Sequence, residues 1–345
     1  MIGENSTQFF SGDQTGNPIF EMIYQYWNSA ILRTGVKLGL FDLIEQNNFC
    51  SAEFIARKLE TDLRFTEIYL DCCMALELLT KDGDRYQNSP ASSTYLVPSS
   101  PAYMGDLVLH ITNHWRNFER LEAHLRSGKH ESPYENGFID KDTYWRDYMA
   151  GQHARAVSGQ AEMLVSNAEL HNKRFLIDLG GGMGSYIVPL CQFYPELKAE
   201  LVDVKEALAQ AALYVASSGL SDRIELIEGT IESHTKGVKE RYDSALLSGV
   251  AVIHSEDRVR ELFALAHHIL VRGGVLLVQD SFKVGGMPER KLMDTLHEFY
   301  LKIAFTEKAC NHNSERIVEL LREVGFQDIK VRTSTTQLSV IRACK

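Results

Sequence analysis

Apolar residues recur at helical spacing from Phe20 to Ile44, among them Ile23, Trp27, Ala30, Ile31, Val36, Leu40, Phe41 and Leu43, and this period predicts amphipathic helix. Ser51 followed by Glu53 reads as another helix start, with Phe54, Ile55 and Leu59 facing inward. A third helix is expected over about 64–79, and KDGDRY (81–86) reads as a hairpin turn with a short strand after it. Three helices and a hairpin make a winged-helix pattern, which serves either DNA binding or dimerisation. The third helix and its approach carry Asp62, Glu67, Asp71 and Glu77 with few basic residues, so this face repels phosphates and dimerisation is the expected role. Residues 87–100, QNSPASSTYLVPSS, read as a connector. Residues 101–170 are helical in pattern and rich in histidine and aromatic side chains.

From Arg174 the period changes. FLIDLG (175–180), AELVDV (199–204), RIELIEG (223–229), DSALLSG (243–249) and GVLLVQD (274–280) are short apolar runs separated by helical stretches, the pattern of a doubly wound parallel sheet. FQDIKVRT (326–333) and LSVIRACK (338–345) are joined by only a few polar residues. Such strands pair antiparallel, because a parallel crossover needs a dozen or more residues. The expected fold class is α/β: a Rossmann-like, seven-stranded sheet with an antiparallel last pair, preceded by an all-α, winged-helix dimerisation domain. The expected organisation is a flexible arm over 1–18, the winged-helix domain over 19–100, a helical roof or linker over 101–170 and the sheet domain over 171–345.

Composition narrows the functional classes. The 345 residues are 44% apolar and 24% charged, with a net charge of −10, which fits a globular chain and disfavours nucleic acid or an anionic membrane as the main partner. The six cysteines form no C-x-x-C pair, so reduced thiols and a cytoplasmic location are expected. Histidines and acids show no metal-ligand spacing, and no G-x-S-x-G occurs, so neither a metal site nor a serine hydrolase is expected.

The chemistry concentrates in DLGGGMGS (178–185), between the first strand of the sheet and its helix. Gly180, Gly182 and Gly184 permit a sharp turn and close approach of a ligand to the main chain. Asp178 is a poor neighbour for a pyrophosphate but a good one for ammonium or sulfonium charge. Asp203, at the end of the second strand, stands where a carboxylate reaches ribose hydroxyls.

With these residues the chain resembles the class I S-adenosylmethionine-dependent methyltransferases, in particular small-molecule O-methyltransferases with an N-terminal winged-helix dimerisation domain. The resemblance covers residues 20–345 and rests on DLGGGMGSY (178–186), LVDVKEAL (201–208), IEGTI (227–231), DSALLSGV (243–250), VRGGVLLVQD (271–280), LLREVGF (320–326) and RTGVKLGLFDLI (33–44). It implies a homodimer acting on a small-molecule acceptor, with S-adenosylmethionine as cofactor lined by Asp178, Gly180, Gly182 and Asp203, and with Ser248 near its amino-acid end. Two features depart from the family. Thr230 and Ile231 stand where an acid and a large apolar residue usually meet the adenine. Ala251 occupies the place of the usual catalytic histidine.

That histidine deprotonates the acceptor hydroxyl in the family. Here the candidates are His254, three positions on, and His297; Asp280 matches one acid that orients the family's histidine, and Ser314 with Glu315 stands near the other. Ser255, Glu256 and Asp257 read as a helix start, so His254 is equally a polar residue outside a helix. The resemblance places His297 and Glu298 on a helix over the substrate, and His110 and His114 on another roofing helix. Tyr148, with Tyr144, Trp145 and Met149, serves either an aromatic pocket or the core, and His267–His268 suit a helix C-terminus. The expected activity is methyl transfer to an aromatic or heteroaromatic metabolite, oxygen slightly ahead of nitrogen or carbon. The alternative is a non-methylating catalyst, for hydroxylation, decarboxylation or cyclisation, that uses the sulfonium on the same fold. A DNA-binding regulator is disfavoured by the acidic third helix.

Overall fold

The computed structural model describes residues 18–284, 291–334 and 338–345. Apart from Pro18, which is already helical, the expected arm over 1–18 lies outside the described residues. The chain divides into two compact units, through Thr112 and from Asn113 onward, so the division falls inside the 101–170 stretch.

In the first unit, α1 (Pro18–Leu38) ends where Gly39 adopts φ 68°, and α2 (Leu40–Asn47) follows. β1 (Cys50–Ser51) leads into α3 (Ala52–Leu59), whose cap is Ser51, its hydroxyl accepting from Phe54 N. α4 (Leu63–Ala75) is capped by Asp62. It stops short of the expected end at 79, because Glu77 turns left-handed at φ 58° and Leu79 already belongs to a strand. β2 (Leu79–Asp82) and β3 (Arg85–Asn88) form the expected hairpin around Gly83, in a three-stranded sheet of order β1-β3-β2. The 87–100 segment is not a plain connector: Ser89 caps α5 (Pro90–Tyr95), with Pro90 in the first turn. α6 (Gly105–Thr112) closes the unit. Leu40, Phe41, Ile44, Ile55 and Leu70 form its core, whereas Met22, Ile23, Tyr26 and Trp27 of α1 are exposed.

The second unit begins with α7 (Trp115–Glu119), α8 (Leu121–Ser127), α9 (Lys141–Arg155) and α10 (Ala161–Ala168). Between α9 and α10 the helix breaks at Ser158 and Gly159, the latter at φ 118°. Then β4 (Phe175–Leu179), α11 (Ile187–Phe193), β5 (Lys198–Asp203), α12 (Lys205–Ser217), β6 (Ile224–Glu228), α13 (Ile231–Thr235), β7 (Tyr242–Ser248), α14 (Glu256–Ile269) and β8 (Leu270–Ser281) alternate. α15 (Lys291–Ala304), α16 (Ser314–Val324), β9 (Gln327–Thr333) and β10 (Leu338–Cys344) complete it.

The strands form one seven-stranded sheet of order β6-β5-β4-β7-β8-β10-β9, parallel except that β10 runs antiparallel to both neighbours. Alternate residues bury on opposite faces: Ile177, Leu179, Ala245 and Leu247 pack against α14, and Leu176, Leu201, Leu246 and Leu277 pack against α11 and α12. The order of succession reverses between β4 and β7, since β5 and β6 are added on one side of β4 and β7 and β8 on the other, so a crevice opens beyond the carboxyl ends of these parallel strands, where ligands bind such sheets.

Candidate active site

Asp178 is fully buried near the end of β4, and neither carboxylate oxygen has a hydrogen-bond partner among the described residues. Burial first, and the negative charge of Asp203 second, push its carboxyl up to about 8. The loop that follows stays thin around it. Gly180, Gly182 and Gly184 have φ of 81°, 56° and 81°, and nothing lies within 4 Å of a Cβ placed at Gly182. A Cβ at Gly181 would lie 2.6 Å from Asp178 Oδ2 and 2.8 Å from Leu201 Cγ, so this glycine, which the motif spacing did not single out, keeps the carboxylate in place.

Asp203 ends β5. Its Oδ2 accepts from Gly182 N at 2.7 Å and its Oδ1 from Val204 N at 2.7 Å. Burial raises its carboxyl and these two N–H groups oppose the rise. Each oxygen keeps a lone pair for a further donor. Gly229 N donates to Asp203 O at 3.1 Å, which sets Thr230 and Ile231 beside this acid. The Thr230 hydroxyl is engaged in capping α13, accepting from Ser233 N at 3.1 Å, and Ile231 packs on the core.

A bound S-adenosylmethionine needs an uncompensated acid for its cationic amino-acid end, an acceptor for its ribose and a main-chain surface free of Cβ atoms. The orphaned Asp178, the position of Asp203 and the open side of Gly182 fit those needs.

Next to the glycine loop is a cleft that is partly open to solvent. Tyr148 and Arg155 enter it from α9, Ser248 from β7, Gln279 and Asp280 from β8, and His297 and Tyr300 from α15. Asp280 is buried, with Oδ2 accepting from Val252 N at 3.1 Å and Oδ1 from Ser281 N at 2.9 Å. Burial raises its carboxyl to about 6, against the pull of these N–H groups and of Arg155. The His297 imidazole is pushed down to about 4 by burial and by Arg155, and its buried Nδ1 has no hydrogen-bond partner among the described residues.

Other expected site residues lie elsewhere. His254 ends the short turn 251–253 and is not among the cleft-lining residues. Gly249 swings the chain at φ 68°, so Val252 and Ile253 face the cleft while His254 follows them; its carbonyl accepts from His312 Nε2 at 2.9 Å. Glu298 is engaged by Lys283 Nζ at 2.6 Å and does not line the cleft. His114 is buried against the rings of Tyr144, Tyr300 and Phe305, and burial pushes it down to about 4. It is therefore a neutral ring behind the cleft wall. His110 is fully buried on α6 of the first unit. Ser314 and Glu315 open α16, with Glu315 N donating to the Asn313 cap at 2.8 Å.

Arg155, Gln160, Gln279 and Tyr186 line the cleft without having been anticipated. Gln279 left a signal, an amide inside the apolar run GVLLVQD. Arg155 left none, because α9 is polar around much of its circumference and no period marks one face. His153 Nδ1 and Ser185 Oγ, 2.9 Å apart, tie α9 to the glycine loop.

A doubly wound sheet with an antiparallel end pair, a bare glycine turn after its first strand and acids at the ends of the first two strands define a class I methyltransferase. The comparisons agree: residues 20–98 match the model of the O-methyltransferase dimerisation domain and residues 118–327 that of the O-methyltransferase domain. The chain belongs to the O-methyltransferase family, and it is an S-adenosylmethionine-dependent methyltransferase. It is 26% identical over 262 residues to 3-hydroxy-5-methyl-1-naphthoate 3-O-methyltransferase of Streptomyces sahachiroi, covering 74% of each chain. It is 28% identical over 271 residues to the N,N-dimethyltransferase OxyT of Streptomyces rimosus, covering 76% of this chain and 77% of that one. Human N-acetylserotonin methyltransferase, solved in complex with S-adenosylmethionine, superposes with a TM-score of 0.84 at 20% identity, over 97% of this chain and 99% of that one.

Proposed function

We propose that the protein methylates a small aromatic or heteroaromatic acceptor, on oxygen in the first instance, and that Asp280 is the base. The observation that carries this reading is the cleft itself. A buried carboxylate stands at its sheet end, and the rings of Tyr148, Tyr300 and Phe305 wall it, with centroids 5.4–5.7 Å from Phe305. The Streptomyces sahachiroi relative is named for a hydroxylated fused ring, which suits a slot of this kind. The Streptomyces rimosus relative is named for nitrogen methylation, so the atom alkylated follows from the acceptor and not from the fold.

When bound, S-adenosylmethionine supplies an electrophilic methyl group on a sulfonium centre. Asp178 and the main chain at Gly180 and Gly182 hold its amino-acid end, with Ser248 nearby. Asp203 accepts from its ribose, and Thr230 and Ile231 flank its base. The aromatic walls hold the acceptor ring and exclude water, so that positioning supplies much of the rate. Ala251 removes the histidine that elsewhere stands between the β8 acid and the acceptor. The Asp280 carboxylate then takes the hydroxyl proton itself as the oxygen becomes nucleophilic. A base with a pKa of about 6 is better matched to neutral pH than the His297 imidazole at about 4. His297 orients the acceptor as a neutral ring.

Incubation with methyl-labelled cofactor and a panel of phenols, hydroxyquinolines and aromatic amines tests this. Label in the product supports the reading. Turnover of acceptor with no S-adenosylhomocysteine released points to the non-methylating alternative. Asp280→Asn is expected to lower kcat by roughly 10²–10⁴ on a hydroxyl acceptor and to abolish a rise of kcat/KM through about pH 6. An unchanged kcat assigns the proton to another group.

The exposed α1 stripe of Met22, Ile23, Tyr26 and Trp27, in a segment that matches a dimerisation domain, supports a homodimer. Trp27→Glu is expected to shift the mass measured by light scattering toward the monomer, and an unmoved dimer peak places the interface elsewhere.

A further inference from the structure

Arg155 closes α9 and lines the same cleft as Asp280, His297 and Tyr300. Its guanidinium makes no hydrogen bond or ion pair with any described residue. A half-buried cation with no contact partner among the described residues leaves its donors for a ligand of opposite charge. The Asp280 carboxylate attracts Arg155 through space but makes no hydrogen bond or ion pair with it; its oxygens accept from the N–H groups of Val252 and Ser281. The position of Arg155 is also fixed from its main chain. Ser158 Oγ donates to Arg155 O at 2.8 Å, and the helix breaks at Gly159 immediately beyond.

A second polar group faces the same space. Gln279 is 1% exposed, and its Nε2 donates to Gln160 O at 3.1 Å. Its Oε1 is buried without a donor among the described residues. The cleft thus offers a fork of cationic donors, one orphan acceptor and aromatic walls.

We propose that Arg155 binds a carboxylate of the acceptor, so that the acceptor is an aromatic acid bearing a hydroxyl or amino group, with Gln279 Oε1 accepting from one such donor. This rests on the cleft being the acceptor site of methyl transfer. A carboxylate also belongs to the cofactor; Arg155 lines the cleft with Asp280 of β8 and with His297 and Tyr300 of α15, and titration with S-adenosylhomocysteine separates the two carboxylates.

The test uses the full-length wild type, Arg155→Gln and Arg155→Lys in calorimetry. Each is titrated first with S-adenosylhomocysteine. Each, once saturated, is then titrated with 3-hydroxybenzoate, 1-hydroxy-2-naphthoate and 3-hydroxy-2-naphthoate, and with their methyl esters. The wild type is expected to bind at least one acid about 10- to 100-fold more tightly than its ester, as a forked charge-assisted contact implies. Arg155→Gln should erase that ratio with the ester affinity unmoved, Arg155→Lys should keep part of it, and all three proteins should bind S-adenosylhomocysteine alike. The melting temperature of Arg155→Gln should not fall, because no partner is lost. Equal affinity of acid and ester in the wild type, or no acid bound at millimolar concentration, overturns the proposal. So does an Arg155→Gln protein that loses S-adenosylhomocysteine but keeps the acid preference, for the carboxylate held is then the cofactor's. If the wild type itself gives no heat with S-adenosylhomocysteine, it is the methyl-transfer reading that fails.

Discussion

Asp178→Asn is expected to make the ligand-free protein more stable at pH 8 while making it a poorer binder of S-adenosylmethionine. The buried carboxylate has no hydrogen-bond partner among the described residues, and removing a desolvated, unsatisfied charge relieves about 1–3 kcal/mol. Its carboxyl titrates near 8 in the folded chain against an unperturbed 3.8. The folded state therefore holds a proton that the unfolded state releases at low pH. This raised pKa costs nothing below about pH 4, and it drains stability progressively as pH rises until about pH 8, where the loss levels off. The variant should lack that slope. On the proposed role of Asp178 the cofactor reverses the balance, because only an ionised acid pairs with a cationic end. Wild-type affinity should therefore improve by up to about tenfold per pH unit between 6 and 8, and the variant should bind about 10- to 100-fold more weakly at pH 8. Melting temperatures from pH 5 to 9, with and without S-adenosylmethionine, read both effects together. A ligand-free variant that melts lower than wild type at pH 8 refutes the first, and a flat wild-type affinity across that range refutes the second.

The largest loss of stability is expected from Glu200→Ala. Glu200 lies on β5, three residues before Asp203, and is 1% exposed. Its Oε2 accepts from Tyr242 OH at 2.5 Å and pairs with His234 Nε2 at 3.0 Å, and its Oε1 accepts from Arg241. The Arg241 guanidinium in turn lies over Phe175 and Tyr242, 5.3 and 5.2 Å from the ring centroids. Tyr242 is fully buried, and both burial and the neighbouring carboxylate push its hydroxyl above its ordinary value. Truncating Glu200 removes the acceptor shared by Tyr242, His234 and Arg241 and leaves the buried Tyr242 hydroxyl only the His234 Nε2, 2.9 Å away. Breaking one partner of such a buried set costs about 3–5 kcal/mol, or roughly 6–20 °C in melting temperature for a unit of this size. Glu200→Gln, which keeps the shape and one acceptor, should lose less. A thermal shift below 2 °C for Glu200→Ala would falsify the view that this cluster clamps β5 to β7.

Much of the sheet was legible in the residues because its signals are local. A buried strand between helices must be a short apolar run, as in FLIDLG and GVLLVQD, and the five such runs of the second unit became strands, as did the two segments of the closing pair. Gly182 and Gly184 permit the left-handed main chain that they adopt, at φ 56° and 81°, and a few polar residues between two strands permit no parallel crossover. Where a local signal misled, a competing local force had won. Left-handed Glu77 ended α4 early, and the Ser89 cap with Pro90 made a helix of a stretch that read as a connector.

The sequence by itself determined the parallel sheet, its antiparallel closure, the glycine turn and the acids Asp178 and Asp203, since each follows from the period of burial or from main-chain geometry within a few residues. Which side chains meet the acceptor was decided only by tertiary structure. The turn at Gly249 carried His254 past the cleft and left Asp280 facing it, Lys283 claimed Glu298, and α9, which gives way to the break at Gly159, brought Arg155 to the same cleft. These residues lie up to about 140 positions apart in the chain. Their meeting depends on strand order and helix packing, and their charge states depend on a burial that no stretch of sequence contains.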